Sequence, residues 1–177
     1  SGALSHLDTF DYKPELIRLD GKPLPATAAG AGFDYRALPW DRYLAPGRIL
    51  PYSTSRGCYW KKCAFCPEKA ENGRYLPVLP QDVTADLGPM GSYSAPCLVH
   101  FLDNALSPRM MKHLIANPPG VDWYAFVRIT PHLADPAFAA GLKAAGCVML
   151  KLGVESGDQA VLDALSKGVD LATVSAA

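Results

Sequence analysis

From residue 48 onward, short apolar runs alternate with segments that open on helix start signals, and this alternation restricts the chain to parallel βα units. Four runs have the length of strands: Ile49-Leu50-Pro51-Tyr52-Ser53, Cys97 to Leu102, Trp123 to Val127, and Val148 to Val154. Between them, Ser107-Pro108 precedes a helical segment over 109–115, and Asp135-Pro136 precedes another over 137–143. The oxygen of a capping side chain satisfies an orphan amide of the first turn, and proline at the first helical position forfeits no hydrogen bond. Gly146 closes the second of these helices, and a last helix from Gln159 to Leu165 stops at Lys167-Gly168. Parallel strands joined by right-handed crossovers build an open doubly wound sheet or a barrel. In both, ligands lie at the carboxyl ends of the strands.

The polar residues of the four units fall at those ends. A cysteine loop follows the first strand, Asp103 and Asn104 the second, Arg128 the third, and Glu155 with Ser156 the fourth, so separated segments converge on one rim. Each also has a structural use: Asp103 as a helix cap, Arg128 as a solvated charge, Glu155 at the positive end of a helix. Their shared placement favours a site.

The cysteine loop is the run Arg56-Gly57-Cys58-Tyr59-Trp60-Lys61-Lys62-Cys63-Ala64-Phe65-Cys66-Pro67. A structural zinc or an ordinary iron–sulfur cluster takes four protein ligands; three thiolates leave one metal position open to a small molecule. The chain has five cysteines, an odd number, and lacks an apolar segment preceded by basic residues, so a reducing cytoplasm is expected rather than a disulfide framework. A zinc-stabilised interaction module is the competing reading. Cys63 and Cys66 have half-site spacing, and Cys97, Cys147 or His100 offers a fourth ligand, but no second paired half-site follows. Cys97 and Cys147 each head an apolar run, where cysteine usually serves as a small buried hydrophobe.

Composition excludes several classes. Lys plus Arg and Asp plus Glu number 17 each, so no overall basic field exists to hold nucleic acid by its phosphates, and nothing suggests a membrane span. With 177 residues, 49% hydrophobic and 19% charged, the chain has the make-up of one globular domain. Residues 1–47 carry Pro14, Pro23, Pro25, Pro39 and Pro46 around a small-residue stretch and show no helical period. They are expected to form an extended arm whose aromatic side chains pin it to a neighbouring body.

In these residues the chain resembles the radical S-adenosylmethionine enzymes, and within them the branch that carries a cobalamin-binding domain ahead of the radical barrel. The resemblance runs from the connector-like stretch Gly32 to Leu44, through Ser55-Arg56-Gly57-Cys58-Tyr59-Trp60, Phe101-Leu102-Asp103-Asn104, Arg128 and Gly146-Cys147, to Leu152-Gly153-Val154-Glu155-Ser156-Gly157 and Lys167-Gly168. It implies a partial parallel (β/α) barrel, with residues 48–177 as its amino-terminal part, truncated after about four βα units of six. It also implies that Cys58, Cys63 and Cys66 hold three irons of a [4Fe-4S] cluster, and that S-adenosylmethionine chelates the fourth. Phe65 then lies beside the adenine, Asp103 and Asn104 near the methionine amino group, and Arg128, Glu155 and Ser156 near the carboxylate and ribose. Gly153 lets the backbone approach the ligand.

The implied reaction is reductive cleavage of S-adenosylmethionine to a 5′-deoxyadenosyl radical, with electrons from an external flavodoxin- or ferredoxin-type donor. The substrate is open, with methyl transfer or a carbon-skeleton change favoured by the branch. Two features depart from the family pattern: Gly-Gly-Glu is absent at Asp103-Asn104, and four residues separate Cys58 from Cys63 where three are usual, which requires the loop to bulge by one residue. No cobalamin-binding signature precedes residue 50, so any cobalamin would belong to a domain upstream of Ser1.

Overall fold

Four strands lie side by side in the order in which they occur in the chain, every neighbouring pair parallel. The computed structural model describes residues 35, 39–45, 47–70, 73–93 and 97–177. Most of the expected arm over 1–47 therefore lies outside the described residues. The described elements are β1 (Arg48–Tyr52), the two-residue strands β2 (Ser55–Arg56) and β3 (Leu76–Pro77), β4 (Cys97–Phe101), β5 (Asp122–Val127) and β6 (Cys147–Leu152). Helices α1 (Pro67–Ala70), α2 (Pro80–Tyr93), α3 (Pro108–Ala116), α4 (Pro136–Ala144), α5 (Gln159–Ala164) and α6 (Leu171–Ala176) intervene or follow, with 3-10 turns at Trp40–Arg42 and Pro131–Ala134.

The main sheet has the order β1-β4-β5-β6, with no reversal. Right-handed crossovers in such a sequence all fall on one side, which curls a sheet toward a barrel; a doubly wound sheet requires the order to switch. The packing agrees. Leu50, Tyr52, Val99, Phe101, Trp123, Ala125 and Val127, alternate residues of their strands, are buried together with Val83 and Leu87 of α2, Met110, Met111 and Leu114 of α3, and Leu142 of α4. The burial of each large apolar side chain in this layer contributes about 1.5–3 kcal/mol. Phe101 meets Trp123 edge to face at 5.4 Å, and the Trp123 indole donates to Ala145 O at 2.8 Å. The parallel partial barrel expected from the sequence is the architecture observed.

Helix signals act where the sequence places them. Ser107 Oγ accepts from Met110 N at 3.2 Å, Asp135 Oδ1 from Ala137 N at 2.9 Å, and Asp158 Oδ1 from Val161 N at 3.1 Å. Gly146, after α4, has φ +87°, and a Cβ there would come within 2.6 Å of Val121 O, so only glycine fits the turn into β6. One residue farther on, β6 carries an irregularity, with Trp123 paired to Cys147 but Tyr124 to Met149.

Three elements lack a strong sequence signal. Helix α2 contains Pro89 in its interior, beside Gly88, yet Val83 and Leu87 seat it in the core at helical spacing. The β2–β3 pair is two residues long on each side. Helix α6 is capped by Asp170, whose carboxyl is held below the usual carboxylate range by hydrogen bonds from Thr173. Of the arm, Tyr35 is buried, its hydroxyl donating to Pro51 O, and the Trp40 indole donates to Tyr35 O at 3.1 Å. No described helix is long and apolar enough to cross a membrane.

Candidate functional site

The cysteine loop is fastened across the carboxyl ends of the strands by ties from both of its flanks. At its entry, Asp103 is 3% exposed, and its carboxylate accepts from Thr54 N and Thr54 Oγ1, each at 2.9 Å, and from Ser55 Oγ. Three donors offset the cost of burying that charge, and they bind the end of β4 to the chain leaving β1. At the exit, Asn104 Nδ2 donates to Glu68 Oε1 at 2.7 Å; Glu68 lies in the first turn of α1, just past Cys66 and Pro67. Asp103 thus has a full set of protein partners, while Asn104 stays exposed at the rim.

The middle of the loop is held by Trp60. The Arg128 guanidinium stacks on its indole at 3.6 Å, Lys62 Nζ lies 4.8 Å from the same ring, and the indole N–H donates to Ser166 O at 3.3 Å. Arg128 Nη2 also donates to Lys167 O and, at 2.7 Å, to Gly168 O. Arg128 is 8% exposed and its Nε has no partner among the described residues. Burial lowers its pKa, an effect opposed by the nearby Tyr59, Cys63 and Cys58. Gly168 has φ +64°, and a Cβ there would run into the Trp60 ring. A further strap joins Ala64 N to Leu165 O at 2.8 Å. The residues 165–168 are thus the far wall of the site; in the sequence Lys167-Gly168 reads as a helix stop and as the end of the family resemblance, with no site role.

Lys61 adopts φ +51°, a left-handed conformation within the four-residue gap between Cys58 and Cys63. This is a local reversal where the bulge was expected, and Lys61 Nζ donates to Gly73 O at 2.6 Å.

Cys58, Cys63 and Cys66 are half-buried free thiols. Burial pushes the Cys63 thiol up; Lys167 and Arg128 pull it down, and Cys66 and Cys58 raise it again. Cys63 thus feels two cations, Lys167 and Arg128, as well as the other two thiols of its loop. Among the described residues, no group of three or more His, Cys, Asp or Glu side chains is arranged to hold a metal ion as it stands. The donor set itself, three thiols backed by Arg128 and Lys167, suits an anionic thiolate-ligated centre. Cys147 heads β6, at the amino end of the sheet and away from this rim; burial raises its thiol to about 11. It is not placed to complete a zinc site with the loop.

The other expected residues gather beside the loop. Glu155 has φ +71° and pairs with the buried Lys167 at 2.9 Å. Lys167 Nζ also lies 5.9 Å from the Phe65 ring, which is 52% exposed. A Cβ on Gly153 would sit 3.1 Å from Lys167 Nζ and 3.2 Å from Glu155 Oε1, so the approach over Gly153 is bordered by that ion pair. Ser156 Oγ accepts from Asp158 N at 3.1 Å, within the turn that starts α5. All ten expected site residues therefore belong to this rim or to the loop across it, and Trp60 and Lys167 join them.

No family model matches the sequence, and no curated protein matches it. A solved structure does match the fold: the apo form of the cobalamin-dependent S-adenosylmethionine radical enzyme OxsB, with a TM-score of 0.55 and 18% identity. The match covers 71% of this chain and 21% of that protein, so the chain spans only a minor part of its length. At that identity the likeness speaks for the fold alone, a parallel (β/α) partial barrel. In this chain β1, β4, β5 and β6 lie side by side, and the cysteine loop is tied to their carboxyl ends.

Proposed function

We propose that the chain is the core of a radical S-adenosylmethionine enzyme, in which Cys58, Cys63 and Cys66 hold a [4Fe-4S] cluster at the carboxyl-end rim. The observation that carries the proposal is the fastening of the three-cysteine loop to that rim, through Asp103, Asn104, Arg128 and the 165–168 segment. When bound, the cluster and S-adenosylmethionine supply a 5′-deoxyadenosyl radical that takes a hydrogen atom from substrate.

The protein's own residues do the rest. Lys167 and Arg128 place positive charge beside Cys63, opposing the burial that raises its thiol. The Trp60–Arg128 stack and the straps behind it hold the loop in one conformation, which limits the ordering needed when cofactor binds. Phe65 presents an exposed flat ring suited to stacking on adenine, and Asn104 presents an exposed amide for the methionine amino group. Asp103 acts as a positioning residue through Thr54 and Ser55. Glu155, Ser156, Gly153 and Arg128 border the place of the carboxylate and ribose. An external flavodoxin- or ferredoxin-type protein supplies the electron.

Anaerobic reconstitution with iron and sulfide tests this. A broad visible absorption band that responds to S-adenosylmethionine is expected, and the combined Cys58→Ala, Cys63→Ala, Cys66→Ala variant is expected to lose it. A colourless chain that holds stoichiometric zinc through the same cysteines would overturn the proposal in favour of a structural metal module.

A further inference from the structure

The strands have a second face, opposite the helices, and it carries an unusual group of side chains. Parallel register places His100 beside Tyr124 and Phe126 beside Lys151. The His100 imidazole stacks on the Tyr124 ring at 4.2 Å with 10° between planes, and the Phe126 ring lies 6.4 Å away. Lys151 Nζ hangs over both rings, 5.0 Å from Tyr124 and 4.9 Å from Phe126, and among the described residues it has no carboxylate partner. His100 Nε2 is closed to water and has no hydrogen-bond partner among the described residues. Among the described strand residues the acidic side chain of this face is Asp122, at the amino end of β5 beside Leu98 and four residues before Phe126.

A buried imidazole nitrogen without a partner is unfavourable unless something satisfies it, and beside it the part-exposed Lys151 offers a cation with no carboxylate of its own among the described residues. The ring faces stabilise the lysine in part, through their electron density. They cannot satisfy the imidazole. What would satisfy both is one group rich in acceptor oxygens and negatively charged, set against an apolar body that covers the exposed Phe126.

We propose that this open face binds a small molecule through its carboxylate or phosphate group. An oxygen of that group accepts from Lys151 Nζ and, as the flexible lysine stem swings aside, from the imidazole N–H of His100 at Nε2. The rest of the molecule lies against the rings of Tyr124 and Phe126, below the cysteine loop. In naming this molecule as the substrate, the inference rests on the function proposed above; the binding itself does not require a loaded cluster.

Titration of the full chain with benzoate, phenyl phosphate and neutral benzamide, read by the Tyr124 and Phe126 ring signals in NMR, is the test. Both anions should shift those signals, and the stronger of the two tells carboxylate from phosphate. Lys151→Met should weaken their binding by about tenfold or more, the loss expected for a charge-assisted hydrogen bond. His100→Phe, which keeps a ring on Tyr124, should weaken it by about threefold, as for a neutral hydrogen bond. Lys143→Met, on the outer helix α4, should leave it unchanged. Equal binding of benzamide, or unaltered binding by Lys151→Met, would overturn the inference, because the face would then read shape and not charge. Displacement of benzoate by S-adenosylmethionine in the reconstituted chain would also overturn it, by assigning the site to the cofactor's own carboxylate. A colourless chain that binds benzoate through Lys151 would overturn only the radical reading; a brown chain indifferent to both anions would overturn only this one.

Discussion

The two faces of the sheet are built from the same strands, often from adjacent residues, and they have opposite characters. On one, Val99, Phe101, Trp123 and Ala125 have no exposed surface; on the other, Phe126 is 44% exposed and Met149 45%. Successive side chains of a strand point to opposite faces, so this contrast is the period of the strand made visible. The helix-covered face carries the packing that holds the chain together. The open face carries His100 and Lys151, which a face built only for packing would not contain. The rim joins the two, with Asp103 and Arg128 buried and Asn104 and Phe65 open to solvent.

The comparison is broken most directly by removing one large ring from each face. Trp123→Ala should destabilise the chain by about 3–5 kcal/mol, through lost burial and the cavity left behind. Phe126→Ala should stay within about 0.5 kcal/mol, as for an exposed site. Urea denaturation of both variants decides the point, and comparable losses would mean that the open face is covered in solution.

A smaller effect is expected at the rim. Gly168→Ala forces a side chain into the left-handed region and against Trp60, and should cost about 1–3 kcal/mol while releasing the indole from Arg128. Gly157, with nothing within 4 Å of a built Cβ, is the matched control and should tolerate alanine. Tryptophan fluorescence and thermal melts together separate loop release from general destabilisation.

The smallest effect is in pH. Burial, and then the charge of Lys151, lower the pKa of His100 below its ordinary value of 6.5. In that window the unfolded chain binds a proton that the folded chain refuses. Stability from this residue is therefore complete above pH 6.5 and is lost as pH falls toward the folded value. His100→Phe should flatten the stability profile over that range relative to the parent chain, measured by denaturation at a series of pH values. An unchanged profile would show that the imidazole is not held in a dry, cation-facing site.

Much of the fold was legible in the sequence. The four parallel strands were readable because apolar runs of strand length end on polar residues, and α3 and α4 because each opens on a cap followed by proline. Helix α2 was not, since Gly88 and Pro89 are local signals against a helix, and only contact of Val83 and Leu87 with the core outweighs them. Helix α6 and the β2–β3 pair are too short for a periodic pattern to show. At the site, the spacing of Cys58, Cys63 and Cys66 and the strand-end position of Arg128 were visible in the chain, but the partner of Arg128 was not.

What the sequence determined by itself is whatever depends on neighbours along the chain: strand and helix periods, caps, the three-thiol spacing and the order of the polar strand ends. Hydrogen bonding and side-chain periodicity act over a few residues, so their traces are local. The tertiary structure alone decided what depends on residues far apart in the chain. It stacks Trp60 on Arg128 and straps Ala64 to Leu165, because the left-handed turn at Gly168 leaves room for the indole. It also sets Lys151 above Tyr124 and beside His100, because the register of three strands, and not any spacing in the sequence, brings those side chains to one place.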